Sequence, residues 1–187
     1  MKESTPKTRI LDVASRLFYE QGYNSTGINQ IIDEAAIARG SLYNHFPSKR
    51  DLLAAYIERA EDIWFTSLEK HLETIKDPKA RLLALFDFRK KEQHNTGFRG
   101  CQFAKVVAEV PKEDLPIFEQ VSKEKDKMKR LIKKLLSQID LQNPAGLSID
   151  MLCESVFLLL EGATVAASLY KKDAPIKNAK TIAAALL

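Results

Sequence analysis

Cysteine is scarce in this chain. Cys101 and Cys153 are the two thiols among 187 residues. Neither belongs to a CxxC pair or a Cys/His cluster, so the spacing of a zinc site is missing and no metal is expected. Such cysteine usage fits a reduced, cytoplasmic setting. Histidine is equally thin. His45, His71 and His94 stand without a nucleophile or a second carboxylate at useful spacing, so nothing supports an enzyme, and no cofactor is expected. The opening MKESTPKTR lacks the apolar core of a secretion signal. The most apolar run, Val156 to Leu169, is interrupted by Glu161 and falls short of the roughly 20 apolar residues a bilayer crossing needs, so no membrane partner is expected. There is no internal repeat, no low-complexity segment and no strand signal. An excess of either sign of charge is slight too. Lys and Arg number 29 against 25 Asp and Glu, a mild excess that permits contact with phosphates without arguing for it.

What is present is ordinary for a soluble globular protein, with 45% hydrophobic and 29% charged residues. A chain of this length holds one sizeable core, or a small domain fused to a larger one. The rest is organised around Thr26 to Lys49. Ile28, Ile31, Ile32 and Ala35 repeat at i, i+3, i+4, i+7, one apolar face of a helix. Thr26 precedes that face, where a hydroxyl can cap the first free amides. Ala36-Ile37-Ala38 can form a compact turn. A second, very short helix follows from about Arg39 to His45, ended by Pro47. Leu42 and Phe46 point inward at i, i+4, which leaves Ser41, Tyr43, Asn44 and His45 largely facing out. A short helix that hides two residues and shows a row of hydrogen-bonding ones suits a DNA major groove.

Arg39-Gly40-Ser41-Leu42-Tyr43-Asn44-His45-Phe46-Pro47-Ser48-Lys49 resembles the recognition-helix signature of the TetR family of transcriptional regulators. That pattern is a basic or small residue, Gly, a small polar residue, Leu, Tyr, a polar or aromatic residue, His, Phe, then a Lys opening the next helix. Gly22-Tyr23-Asn24-Ser25-Thr26 is similar to the family's lead-in to its second helix. In the second half, Arg99-Gly100-Cys101-Gln102-Phe103-Ala104 with Ala108-Glu109 resembles a GCxF…E pattern of many such C-terminal domains. Leu160-Glu161-Gly162-Ala163, followed by Pro175 and an Ala-rich ending, resembles the family's dimerising helix pair, with Glu161 where Asp is usual.

The chain order supports an all-α protein of about nine helices. A helix-turn-helix domain over 1–47 precedes a helical bundle for effector binding and dimerisation over 48–187. The first helix runs from about Pro6 to Gln21, with Thr5 as cap and Ile10, Val13, Ala14, Leu17 and Phe18 inward. With the two short helices it shares a core of Leu17, Phe18, Ile28, Ile31, Ile32, Leu42 and Phe46. Ser48 with Asp51 resembles a capping box, and this helix end with Lys49 makes a phosphate clamp. That helix continues to about Glu73. Further helices are read from about Pro78 to Gln93, Cys101 to Val110, Leu115 to Gln138, Ser148 to Tyr170 and Pro175 onward, with a turn at Asn143-Pro144-Ala145-Gly146. The lysine-dense face from Lys123 to Lys134 reads as solvated, with a second nucleic-acid patch as the alternative. Cys101 reads as a small buried hydrophobe, with a redox thiol as the alternative. Cys153 reads as core.

The resemblance implies a homodimeric transcriptional regulator, a repressor released from a palindromic operator by a small-molecule effector. It implies DNA contacts at Thr26, Arg39, Gly40, Ser41, Tyr43, Asn44, His45 and Lys49. Thr26, Tyr43 and Lys49 fall to phosphates, and Asn44 is the best base reader, since its amide can pair bidentately with adenine. Trp64, Phe86, Phe103, Phe118 and Phe157 are candidates to border an effector pocket. Leu159, Ala163, Ala166, Ala167, Ile182 and Leu186 are candidates for the dimer seam. Glu109 and Glu161, read as near that core, each require a partner, because an unpaired buried carboxylate is costly. Two rival classes are a small all-α enzyme or carrier that happens to hold such a hairpin, and an architectural DNA binder without effector.

Overall fold

The computed structural model describes residues 5–141 and 146–187. Among the described residues every regular element is a helix: α1 (Pro6–Glu20), α2 (Ile28–Glu34), α3 (Arg39–His45), α4 (Lys49–Leu72), α5 (Pro78–Asn95), α6 (Gln102–Glu109), α7 (Leu115–Leu136), α8 (Ile149–Tyr170) and α9 (Ala174–Leu186). The turn expected at Asn143 to Ala145 lies outside the described residues, as does the opening of the MKESTPKTR segment.

Two compact units emerge, and they are drawn differently from a split at residue 47. One gathers the chain up to Ile63 with Gln102–Ser122; the other gathers Trp64–Cys101 with Lys123–Leu187. The division falls inside α4 and α7, because a helix read as one segment from its period can serve two cores along its length.

In the first unit Thr5 caps α1, its hydroxyl accepting from Thr8 N at 3.3 Å, and Pro6 takes a position where a missing N–H costs nothing. Ile10, Ala14, Leu17 and Phe18 form the buried stripe of α1, and Ile31, Ile32, Ala35, Leu42 and Phe46 complete the small core. Ile28, expected in it, is half-buried. Burying each large aliphatic side chain contributes about 1.5–3 kcal/mol. A three-helix head this small therefore depends on nearly every one of them.

In the second unit Asp77 caps α5 by accepting from Ala80 N at 2.7 Å, and Ser148 caps α8 by accepting from Met151 N at 3.2 Å. Lys171 ends α8 in the left-handed region at φ 53°, its N–H returning to Ala167 O. α8 packs on α5 and α9, and Leu152, Val156, Leu160, Ala163 and Ala167 are its inward face. By length and composition α8 could cross a membrane, which the shorter run Val156 to Leu169 did not suggest. Its inward face is packed within this fold instead, and Glu161 on it pairs with Lys125 Nζ at 2.8 Å.

The residues read from the sequence as the dimer seam differ in exposure within the chain. Ala163 and Ala167 are buried by the chain's own packing, and Leu159, Ala166 and Leu186 are half-buried. Ile182, at 51% exposure, remains outward. The outward apolar residues of α8 are instead Leu158, Val165 and Leu169, at 63%, 59% and 72% exposure. With Gly162 they lie at i, i+4, i+7 and i+11, a single helix face. Small residues sit inside here because they let neighbouring helices approach.

The lysine face of α7 is laced to acidic residues. Lys125, Lys129 and Lys133 pair with Glu161, Glu154 and Asp150 of α8 at 2.8, 2.7 and 2.5 Å. Lys127 sits 4.1 Å from the centre of the Phe65 ring.

Candidate nucleic-acid interface

α3 turns Leu42 and Phe46 inward, at 0% and 4% exposure, and thereby turns the rest of its short length out. Arg39, Gly40, Tyr43, Asn44 and His45 are exposed and Ser41 is half-buried. The joint before α3 is tight: Ala36 adopts a left-handed φ of 50°, and Ile37 N returns to Ile32 O at 3.3 Å. Arg39 donates from its guanidinium to Asn29 Oδ1 of α2, which ties the outer rims of the two helices. The result is a fixed row of guanidinium, hydroxyl, phenol, amide and imidazole groups that can meet base edges and phosphates.

Gly40 carries further information. A Cβ built there meets no atom within 4 Å, so nothing inside the protein demands glycine, although glycine in a helix costs up to about 1 kcal/mol against alanine. Gly40→Ala is expected to raise the denaturation midpoint slightly while weakening any binding to duplex DNA, measured by urea unfolding and gel shift side by side. A variant that binds as tightly as the wild type would show that no close approach is needed there.

Two of the predicted contact residues turn inward. Thr26 is buried at 1% exposure. Its hydroxyl donates back to Gly22 O at 2.7 Å and accepts from Gln21 Nε2 at 3.2 Å. The N-cap of α2 is Gly27, with no side-chain hydrogen bond. Thr26 therefore shapes the loop rather than capping α2 or presenting its hydroxyl outward. Sequence spacing cannot say whether a hydroxyl turns forward to free amides or back to a carbonyl. Lys49 likewise turns inward: Nζ donates to Tyr23 O at 2.6 Å and lies 4.3 Å from the Tyr23 ring centre. Burial holds this ammonium below the ordinary lysine range, with Glu109 opposing. Beside it, Ser48 Oγ accepts from Asp51 N at 3.1 Å and donates to the Asp51 carboxylate at 2.6 Å. Here the capping box closes side chain to side chain.

What the sequence did not reveal is how α6 and the start of α7 hold this head within the same unit. Glu109 Oε2 accepts from Asn24 N at 2.7 Å, and Asn24 Nδ2 donates to Glu109 O at 2.9 Å. Gly22 is in the left-handed region at φ 97°, and a Cβ there would stand 2.6 Å from Glu109 Oε1. Arg50 donates twice to Asp114, at 2.7 and 2.6 Å, and those bonds hold the Asp114 carboxyl below its usual range. Lys105 donates to Tyr19 O. The GCxF…E pattern singled out Glu109 but not its partner, a backbone amide 85 positions away.

The five candidate pocket aromatics fall in both units. Phe103 and Phe118 belong to the first unit, and Trp64, Phe86 and Phe157 to the second. Trp64 packs edge-on against Phe65 and Phe88, with ring centres 4.9 and 5.3 Å away. An open cleft of about 360 Å³ is lined by polar residues, among them Lys129, Arg130, Asp150 and Glu154, and by none of the five. Glu161 does find partners, in Lys125 and, at 3.6 Å, Arg89. Cys101 and Cys153 are both buried and unpaired to each other. Among the described residues no His/Cys/Asp/Glu group is arranged to hold a metal ion.

Comparison with known proteins follows the same lines. Residues 10–56 match the family described as bacterial regulatory proteins, tetR family. The chain is 34% identical over 95 residues to the HTH-type transcriptional activator FasR of Mycolicibacterium smegmatis, covering 49% of this chain and 42% of that protein. It is 48% identical over 54 residues to the HTH-type transcriptional regulator LmrA of Bacillus subtilis, 29% of each chain. The matched part is thus about half or less of these relatives' length. A TetR transcriptional regulator from Legionella pneumophila superposes with a TM-score of 0.81 at 24% identity, over 98% of this chain and 97% of that one. A TetR-family regulator from Streptomyces coelicolor gives 0.78, also at 24% identity, over 96% of both. At these identities the likeness is one of fold.

Proposed function

We propose that this chain, whose residues 10–56 match the tetR family of bacterial regulatory proteins, is a member of that family and a cytoplasmic homodimeric repressor that a small-molecule effector releases from a palindromic operator. The observation that carries the reading is α3 itself. Two buried residues lock it, and Tyr43, Asn44 and His45 stand outward on a helix too short for other structural work. Each subunit would place α3 in one major groove, with half-sites about one helical turn apart. Two copies would pair through Leu158, Val165 and Leu169 of α8 with Ile182 of α9. Gly162, whose surroundings leave a Cβ free of contact within 4 Å, would let the backbones approach. Effector binding would tilt α4, a single helix from Lys49 to Leu72, and change the spacing of the two heads. The clasp of Asn24 by Glu109 supports such a path, since it joins the loop before α2 to α6.

The test is a gel-shift titration against the DNA immediately upstream of this protein's own gene, at two salt concentrations, followed by random-duplex selection if that DNA is silent. Sequence-specific binding that weakens steeply with salt is expected. Failure of both to yield a preferred sequence would overturn the reading. One relative is named an activator. A reporter driven by the bound promoter separates the two signs of regulation, because deletion of a repressor raises expression and deletion of an activator lowers it.

A further inference from the structure

A thiol, an amine and an unpartnered carboxylate meet inside the second unit. Cys101 is buried, and Lys125 Nζ of α7 lies 3.4 Å from its Sγ. The same Nζ stands 2.8 Å from Glu161 Oε2 and 3.4 Å from Glu124 Oε2. Glu124 is 2% exposed, and that Oε2 has no hydrogen-bond partner. Arg89, also buried, approaches the other oxygen of Glu161 at 3.6 Å. Cys153 is not at hand for a disulfide. It precedes Glu161 on α8 by more than two turns, about 12 Å along the axis, and its Sγ donates to Lys129 O at 3.3 Å. The nucleophile within reach of Cys101 is therefore the Lys125 amine.

The groups around Lys125 decide when that amine can react. At rest it is an ammonium, paired with two carboxylates, and an ammonium has no lone pair to give. Oxidation of the thiol changes this. Hydrogen peroxide, close to water in size, converts a thiol to sulfenic acid: Cys101 Sγ gains one oxygen and gives up two electrons, the O–O bond breaks, and water leaves. The sulfur is now electrophilic, and such sulfur condenses with nitrogen to a sulfenamide. The proton on Lys125 has a place to go, since Glu124 Oε2 stands 3.4 Å away with its acceptor capacity unused. The Lys125 ammonium gives one proton to Glu124, and its nitrogen attacks Cys101 Sγ. The sulfenic hydroxyl leaves as water with a second proton from that nitrogen, which keeps the third. The products are an S–N bond, one water and a neutral Glu124 carboxyl. A buried ammonium and a buried carboxylate are both discharged, which removes a desolvation cost, and Arg89 keeps Glu161.

We propose that Cys101 and Lys125 are an oxidative modification site, which peroxide closes into a covalent sulfenamide with Glu124 as proton acceptor. This chemistry does not rest on the DNA-binding reading. The bond would close residues 102–124 into a ring, and that stretch carries Glu109, which clasps Asn24, and Asp114, which holds Arg50. The full-length protein, reduced and then freed of added thiol, is treated with hydrogen peroxide and followed by intact mass and peptide mapping. The expected product is lighter by two hydrogen atoms, joins the Cys101 and Lys125 peptides, and returns to its starting mass with dithiothreitol. Cys153→Ser is expected to form it equally, which separates it from a disulfide of the same mass. Lys125→Arg is expected to stop at sulfenic acid, one oxygen heavier and trapped by dimedone. Glu124→Gln, which lacks the proton acceptor, is expected to form the bond roughly a hundredfold more slowly while sulfenic acid accumulates. Circular dichroism checks that each variant is folded. Loss of the product in Cys153→Ser, a two-hydrogen loss without a link to Lys125, or a wild-type Cys101 that stays reduced or oxidises without linking would overturn the site, and none of these readings needs a Lys125 variant. A Glu124→Gln protein that links as fast as wild type would remove Glu124 from the step. Operator affinity of the linked protein is measured last. A change that dithiothreitol reverses is expected, and unchanged affinity would sink the reach of the bond to Asn24 while leaving the bond itself standing.

Discussion

Asn44→Ala is expected to lower operator affinity about ten- to a hundredfold while leaving the fold intact, the loss typical of one bidentate base contact. Asn44 is exposed on α3, so its truncation opens no cavity and exposes no apolar surface. Tyr43→Ala, at a residue 41% exposed on the same row, should weaken binding in the same way. The salt dependence separates their roles. Loss of a base contact leaves the slope of affinity against salt unchanged, whereas Arg39→Ala, if it removes a phosphate contact, should lower that slope by about one. Leu42→Ala is the contrasting control. At 0% exposure it should cost about 2–5 kcal/mol and unfold the head rather than alter its chemistry. Gel shifts at two salt concentrations, with circular dichroism and size exclusion on each variant, distinguish these outcomes. Unchanged operator affinity in both Asn44→Ala and Tyr43→Ala would remove α3 as the reading helix.

Gly22→Ala should be the most damaging single methyl that can be added to the first unit, at roughly 2–4 kcal/mol. Its φ of 97° is poorly tolerated by a side chain, and the new Cβ would stand 2.6 Å from Glu109 Oε1. The carboxylate can move away only by abandoning Asn24 N, to which it bonds at 2.7 Å. Backbone strain and the lost charge-assisted bond therefore act together. Glu109→Ala alone should cost less, about 1–3 kcal/mol, since it leaves the Asn24 amide to find water. The double variant Gly22→Ala/Glu109→Ala should be less damaged than the sum of the singles, because the clash is gone. Urea unfolding of the four proteins closes the cycle. Strict additivity would mean that the glycine is demanded by φ alone.

Helical period carried most of the reading that sequence allows. The boundaries of α1, α3, α5 and α8 follow from Pro6, Pro47, Pro78 and Ser148, each a local signal acting on adjacent backbone. The inward pair Leu42 and Phe46, and hence the outward row between them, follow from i, i+4 spacing alone. The same period left the place of the dimer seam open. It groups Ala163 and Ala167 with their face without saying whether that face meets the chain's own helices or another copy.

The sequence by itself determined that this chain is helical, where its helices start and stop, and which short helix shows its polar groups, because these depend on residues within a turn or two of one another. Tertiary structure alone decided that Thr26 bonds inward to Gly22, that Lys49 rests on Tyr23, that Glu109 clasps Asn24 and that Arg89, Glu124 and Lys125 share one buried cluster. Each of those depends on which helix faces arrive side by side. The choice is made by packing apolar surface across the whole chain, and polar side chains then take the partners that packing leaves within reach.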